Sequence, residues 1–146
     1  MKEYLYDCEI LSLLELELLI LTLFIFWDDK KDILKDLYKK IIKSLNFFWD
    51  VNPELVKKLL SDLYINTVQF LYYKNKSEDI FLLEKTFKKN FTSEKFSLNI
   101  NISFDFFNSV YKKNIKKSTE LLAFLKEYDH RKYTILSKIT QGIVCS

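Results

Sequence analysis

The sequence predicts an all-α protein, an antiparallel bundle of about five to six helices. Apolar residues recur at intervals of three and four along most of the chain, the spacing that places them on one face of an α-helix. The chain contains one glycine and one proline, the residues that most often interrupt helices. Of its 146 residues, 49% are hydrophobic, which is enough to build a sizeable core.

The first element is the apolar run at residues 10–27, in which 14 of 18 residues are apolar. Its length is close to that of a membrane-spanning helix, but Glu15 and Glu17 interrupt it. Two acidic residues in mid-membrane would offset most of the free energy gained by inserting the apolar residues. The run therefore favours a buried helix, and it leaves membrane contact and a strand as alternatives.

Two longer helices follow. Residues 28–50 place apolar residues at helical spacing opposite a face of Lys and Asp. Asn52 can accept a hydrogen bond from the first turn of the next helix, and Pro53 suits its first position. The predicted buried face of that helix consists of Leu55, Val56, Leu59, Leu60, Leu63, Tyr64 and Phe70.

The later elements are predicted in the same way. Residues 74–91 predict a helix with Ser77 as its candidate cap. Residues 94–104 alternate between apolar and polar side chains, which is typical of a strand. Because this strand has no visible partner, a short extended connection near 95–104 is equally consistent. Further helices are predicted over residues 105–117 and from Ser118 onward.

Signatures of catalysis are missing from the sequence. Gly142 is the only glycine, so a glycine-rich phosphate loop cannot form. No serine-nucleophile or paired-histidine motif occurs. Cys8 and Cys145 lie at opposite ends of the chain, and His130 is the only histidine. We therefore expect no enzyme, no metal site and no cofactor.

Charge is distributed unevenly along the chain. Residues 1–84 contain 11 Lys against 15 acidic residues, whereas residues 85–146 contain 11 Lys and one Arg against five. Such a split is expected when one part packs against protein and another meets a polyanion. The charge split therefore favours a C-terminal part that meets a polyanion, with a solvated basic face as the alternative.

Four lysines form the densest basic cluster, and Tyr111 lies next to them. Lys112, Lys113, Lys116 and Lys117 are spaced to form a two-row stripe on one helix. Such a stripe attracts phosphates by charge and by counterion release. Double-stranded RNA is recognised mainly through shape and backbone, which suits lysines. An ordinary solvated face is the alternative.

The segment "LLAFLKEYDHRKYTILSKI", residues 121–139, resembles the C-terminal hairpin of the small-subunit ribosomal protein fifteen family. The matching positions are Leu121, Leu122, Phe124, Leu125, Lys126, Asp129, Tyr133, Leu136 and Ile139. Asp105 and Asn108 fit the spacing of that family's rRNA-binding loop, although two phenylalanines replace its histidine pair and its glycine is missing. The resemblance extends over residues 77–143. It therefore implies an acidic, apolar helical extension over residues 1–76 and a basic helical RNA-binding domain over residues 77–146.

This resemblance implies a structural protein that binds a junction in small-subunit rRNA. The rRNA contacts it implies are Asp105, Asn108, Lys112, Lys113, Lys116, Lys117, Arg131 and Lys132. The hairpin itself is expected to bury Leu121, Leu122 and Leu125, with Asp129 capping the next helix and Tyr133 and Leu136 returning to the core. Residues 1–76 would dock on neighbouring ribosomal proteins.

The scarcity of Gly, Ala, Pro and Arg beside 22 Lys indicates an AT-rich genome. We therefore expect a mitochondrial ribosomal protein. Two other functions remain open. One is an all-α protein-interaction module, such as a viral groove-forming protein of the Bcl-2 type, in the cytoplasm of a virus-infected or AT-rich host cell. The other is an accessory subunit of a membrane complex that contacts lipid through residues 10–27.

Overall fold

A computed structural model describes residues 9–23 and 31–144, which form seven α-helices, a short 3₁₀ helix and no strand. The α-helices are α1 (Leu13–Thr22), α2 (Lys31–Phe48), α3 (Pro53–Tyr73), α4 (Ser77–Asn90), α5 (Leu98–Tyr111), α6 (Ile115–Tyr128) and α7 (His130–Val144), and the 3₁₀ helix is Ser93–Lys95. The predicted all-α bundle is confirmed, with seven helices in place of five to six. Residues 24–27 of the apolar run, both cysteines and the side chains of 31–34 lie outside the described residues.

Internal contacts divide the chain into two compact units. The first ends at Asn66 and the second begins at Thr67, so the division falls inside α3. The predicted division after residue 76 follows the extent of the resemblance and concerns RNA binding, which packing does not test, so it stays a prediction.

In the first unit, α1 begins with reciprocal hydrogen bonds between Ser12 and Glu15. The Glu15 backbone N–H donates to Ser12 Oγ at 3.3 Å, and the Ser12 N–H donates to Glu15 Oε2 at 2.7 Å. The helix then buries one side, formed by Leu16, Leu19 and Ile20. The expected burial of the apolar run is thus seen on one face of α1. No helix in the described ranges is long and apolar enough to cross a bilayer.

Helix α3 begins as predicted. Asn52 Oδ1 accepts a hydrogen bond from the Leu55 backbone N–H at 3.2 Å, and Pro53 is the first helical residue. Its predicted face is buried at every position except Leu55, which is half-buried. Within the first unit, the Asn66 side chain donates to the Ile20 carbonyl at 3.2 Å and so satisfies an acceptor near the end of α1.

Ser77 is not the cap of α4, contrary to prediction. It is the first helical residue, and Lys76 occupies the cap position without a side-chain hydrogen bond. The reason lies at the end of α3, where Asn75 adopts φ 56° and the Lys76 N–H donates to the Leu71 carbonyl at 2.8 Å. These features form a Schellman motif, which ends α3 and leaves only residues 74–76 between α3 and α4.

The predicted strand or extended segment near 95–104 is mostly helix. Only Phe96 and Ser97 have extended backbone, and Ser97 Oγ caps α5 by accepting from the Ile100 N–H at 3.3 Å. A pattern of period two also contains residues four apart, which share a helix face. Phe96, Ile100 and Phe104 are buried in this way, whereas Leu98 is 66% exposed.

In the second unit, consecutive helices pack on one another: α5 contacts α4 and α6, and α6 contacts α7. Aromatic side chains from α4 and α5 and apolar side chains from α6 and α7 are buried there: Phe87, Phe104, Phe106, Phe107, Leu125, Leu136 and Ile139. The only glycine of the chain allows a close approach on α7. A Cβ added to Gly142 would overlap the Tyr72 hydroxyl and lie 2.8 Å from two ring carbons, so the Tyr72 ring would have to move.

Candidate nucleic-acid interface

The four predicted lysines lie around the connection between α5 and α6, which we call the basic turn (residues 111–117). Helix α5 ends at Tyr111, and Lys113 adopts φ 56° in the left-handed region. The Asn114 N–H donates to the Ser109 carbonyl at 2.8 Å, and the Lys113 N–H donates to the Val110 carbonyl at 3.0 Å. These bonds form a second Schellman motif and end the helix.

Asn114 also starts the next helix. Its Oδ1 accepts a hydrogen bond from the Lys117 backbone N–H at 3.1 Å. The predicted continuous helix over residues 105–117 is therefore wrong, and so is its two-row stripe. Lys112 and Lys113 follow α5, whereas Lys116 and Lys117 lie in the first turn of α6. The four charges still fall within six residues.

Every residue of the basic turn is exposed. None of its four lysines forms an ion pair with any residue in the described part of the chain. The first turn of α6 contains no acidic residue, and the positive end of the helix dipole disfavours lysines there. These charges do not stabilise the turn, and they create a local positive potential suited to an anionic ligand.

Asp105 and Asn108 belong to α5 and not to a loop. Asp105 is exposed, and its carboxylate would repel phosphate. The half-buried Asn108 side chain donates to Glu84 Oε2 on α4 at 2.6 Å. Glu84 also pairs with Lys88. In this structure Asn108 therefore joins α5 to α4, and neither residue is placed as the resemblance implies.

The hairpin between α6 and α7 is organised by Asp129, which caps α7 as expected. Asp129 Oδ1 accepts from the Lys132 backbone N–H at 3.1 Å, and Oδ2 accepts from the Lys132 ammonium at 2.8 Å and from the Asn99 side chain at 3.0 Å. Burial raises the pKa of Asp129, but the hydrogen bonds from Lys132 and Asn99 and the Lys132 charge outweigh it. The pKa of this carboxyl lies below its ordinary value of 3.8.

Lys132 does not fit the expected phosphate contact. The residue is 8% exposed, and its ammonium is bound to Asp129. A phosphate would have to displace the Asp129 carboxylate from this ammonium. Arg131, the next candidate, is exposed on α7.

The remaining hairpin positions pack largely as expected. Leu125, Leu136 and Ile139 are buried. Leu121, Leu122 and Tyr133 are half-buried. The Lys126 ammonium lies 5.8 Å from the centre of the Tyr133 ring.

Sequence reasoning did not identify what supports Tyr111. Its ring centre lies 5.1 Å from that of Phe81 on α4, which is itself 6.4 Å from the ring of Phe107 on α5. Phe81 and Tyr111 are thirty residues apart, so no local pattern signals their contact. The only clue in the sequence is that both residues are aromatic.

The second unit also contains a concave region, which includes no residue of the basic turn. It is a groove of about 170 Å³ between α3 and α7, lined by Gln69, Tyr72, Tyr73, Thr134, Ile135, Lys138 and Ile139. Within residues 9–23 and 31–144, no group of three His, Cys, Asp or Glu side chains could hold a metal ion. The groove contains neither a carboxylate nor a nucleophilic thiol, so it does not present a catalytic constellation.

The fold and the basic turn define a small helical protein whose exposed lysines lie between two consecutive helices. The chain matches no protein-family model, and no curated protein or solved structure matches it.

Proposed function

We propose that this protein is a non-enzymatic component of the small subunit of a mitochondrial ribosome, and that its basic turn binds the backbone of small-subunit rRNA. The observation that carries the proposal is the density of exposed charge: four lysine ammonium groups lie within six residues, and none is ion-paired in the described part of the chain. Phosphates neutralise such a cluster and release counterions. The hairpin resemblance and the AT-rich composition support the ribosomal setting.

Residues 1–76 would dock on neighbouring ribosomal proteins. Helix α1 supports this part of the proposal, since Leu14, Leu18 and Leu21 lie on one face at helical spacing and are 67%, 53% and 51% exposed. Aligned exposed leucines are typical of protein-binding helix faces. Replacing the three leucines by serine should reduce the recovery of the protein with ribosomal particles and leave the RNA affinity of the purified chain unchanged. Unreduced recovery would contradict docking through this face.

The RNA-binding proposal is tested with the full chain and a small-subunit rRNA fragment containing a helical junction. With four phosphate contacts, the logarithm of the association constant should fall with the logarithm of salt concentration at a slope of about −3 to −4. Replacing Lys112, Lys113, Lys116 and Lys117 by glutamine should weaken binding and bring that slope close to zero. Fluorescence anisotropy titrations at several salt concentrations measure both quantities.

The matched control removes the same amount of charge from the acidic half. Lys35, Lys39, Lys43 and Lys58 are all exposed, and their replacement by glutamine should leave the slope unchanged. If this control weakens binding as much as the basic-turn variant does, net charge and not the turn is responsible. No binding at low salt, or binding indifferent to the basic-turn lysines, would overturn the proposal.

A further inference from the structure

We propose that Tyr111 is a stacking platform for an unpaired RNA base whose flanking phosphates are bound by the basic turn. This inference rests on the proposed function and specifies its ligand as RNA with an unstacked nucleotide, as occurs in loops and junctions. Aromatic side chains stack on any base that has left its helix, and lysines bind the backbone on either side.

The packing of Tyr111 meets the first requirement, a ring that is held but accessible. Tyr111 is 68% exposed although it is the last residue of α5. Phe81 contacts it with ring centres 5.1 Å apart and ring planes inclined at 52°. Phe107 supports Phe81, and Phe106 lies 5.3 Å from Phe107 in the core. This row of rings restrains Tyr111 on one side and leaves most of its surface available.

Its position in the chain meets the second requirement, cations next to the ring. Lys112 and Lys113 follow Tyr111 directly, and the turn brings Lys116 and Lys117 into the same exposed segment. The left-handed backbone at Lys113 reverses the chain immediately after the ring. A base on Tyr111 would therefore have its own phosphates within reach of several ammonium groups.

A fully paired duplex cannot use this arrangement completely. Its bases stack on one another, so it offers the basic turn only phosphates and riboses. An RNA with an unpaired nucleotide offers phosphates and a base face together. The inference therefore predicts a preference for unpaired RNA that charge alone does not produce.

Tyr128, the last residue of α6, provides a contrast to Tyr111. It is 65% exposed, and its ring lies 4.5 Å from that of Phe124, so it resembles Tyr111 in exposure and support. However, Glu127 and Asp129 flank it, and their carboxylates repel phosphate. Tyr128 is therefore the matched control for an exposed, supported ring whose immediate neighbours in the chain are acidic and not lysines.

The test uses the full chain and three RNAs of equal length, compared by fluorescence anisotropy at 50 mM salt. They are a single strand of mixed sequence, the same strand with abasic residues at its central positions, and a blunt duplex. The abasic strand keeps every phosphate, so its comparison with the intact strand isolates stacking. The wild-type protein should bind the intact strand about tenfold more tightly than the abasic strand.

Tyr111→Ala should abolish this difference by lowering the affinity for the intact strand about tenfold. The affinity for the abasic strand and the salt slope should stay nearly unchanged. Tyr111→Phe should behave like the wild type, because the ring is kept. Tyr111→Leu preserves an apolar contact with Phe81 but has no aromatic face, so it should behave like Tyr111→Ala even if the alanine variant folds poorly. Tyr128→Ala should leave all three affinities unchanged.

Four results would overturn the inference. The first two are equal affinities of the wild type for the intact and abasic strands, and an equal loss of affinity for both strands in Tyr111→Ala. The other two are a loss of affinity for the intact strand in Tyr111→Phe, and the same loss in Tyr128→Ala. If the lysine variant loses binding while Tyr111→Ala and Tyr111→Leu retain the preference, the platform is refuted and phosphate binding by the basic turn stands. If none of the RNAs binds, the inference and the proposed function fail together.

Discussion

Ser44 on α2 and Ser61 on α3 are both buried, yet their hydroxyl groups have opposite surroundings. Ser44 Oγ accepts a hydrogen bond from the Leu11 backbone N–H at 3.0 Å, and Leu11 itself is fully buried. Ser61 Oγ is buried and has no hydrogen-bond partner in the described residues. Burying a hydroxyl costs free energy unless a hydrogen bond compensates, so Ser44 should stabilise the fold and Ser61 should not.

Alanine substitution of these two serines should therefore change stability in opposite directions. Ser61→Ala should raise the free energy of unfolding by about 1 kcal/mol, because it removes an unsatisfied hydroxyl and improves helix propensity. Ser44→Ala should lower it by about 1–3 kcal/mol, because the Leu11 N–H would lose its partner. Urea denaturation of the full chain measures both values, and a shift of the same sign in both variants would contradict this assignment.

At the scale of the helix, this chain ends α3 and α5 without glycine. Both ends are Schellman motifs in which the left-handed position is occupied by Asn75 and Lys113, each at φ 56°. Asparagine tolerates this conformation, whereas a lysine side chain makes it costly by roughly 1 kcal/mol. The strain falls within the basic turn, where a lysine adds to the positive potential.

Lys113→Gly should accordingly stabilise the protein by about 1 kcal/mol while weakening RNA binding. Asn75→Gly is the control, since it relieves less strain at an identical motif and should give a smaller gain. Thermal unfolding and RNA titrations of the two variants test the two effects separately. A gain from Asn75→Gly that equals or exceeds that from Lys113→Gly would show that Lys113 is not strained.

The beginning of α7 should make stability depend on pH through Asp129. The pKa of this carboxyl is depressed in the folded state, so its contribution is fully present above its ordinary value near 3.8. The contribution is lost as pH falls through the lower folded pKa. Asp129→Asn should therefore cost about 1–3 kcal/mol at pH 7, and its difference from the wild type should shrink as pH is lowered below about 4.

Urea denaturation at pH 7, 5, 4 and 3 measures the difference in the free energy of unfolding between the wild type and Asp129→Asn. Asp105→Asn is the matched control, because it removes an exposed carboxylate on α5 and should change stability little. A cost of Asp129→Asn that is the same at pH 3 and pH 7 would refute the role of the charged pair with Lys132.

At the scale of the whole molecule, the division of the chain inside α3 affects which fragments can fold. Residues 67–73 belong to the second unit, and three of their side chains, Val68, Phe70 and Leu71, are 0–6% exposed. The domain predicted from the resemblance begins at residue 77 and lacks them. Burial of three large apolar side chains contributes about 5 kcal/mol, which is comparable to the stability of a small domain.

A fragment of residues 67–146 should therefore unfold cooperatively, and a fragment of residues 77–146 should be several kcal/mol less stable or lack a cooperative transition. Circular dichroism during heating distinguishes the two. The lysines of the basic turn are present in both fragments, so charge is held constant. Equal stability would show that the end of α3 is dispensable to the second unit.

Features governed by neighbours within four residues could be read from the sequence. The all-α class follows from apolar spacing, and the caps Asn52 and Asp129 follow from side chains that reach their own first helical turn. The alternation of apolar and polar side chains at residues 96–104 is consistent both with the two-residue period of a strand and with the four-residue spacing of one helix face. Burial of Ile100 and Phe104 against other helices decided between them, which a local pattern cannot do.

By itself, then, the amino-acid order determined that the chain is helical, where several helices begin, and that positive charge gathers near residues 112–117. Tertiary structure alone decided that Asn99 on α5 donates to the Asp129 carboxylate, that Asn108 binds Glu84, and that Phe81 supports Tyr111. The physical reason is range. Helix periodicity and capping act over one turn, whereas these contacts join different helices, and the partners become neighbours only after the helices have packed.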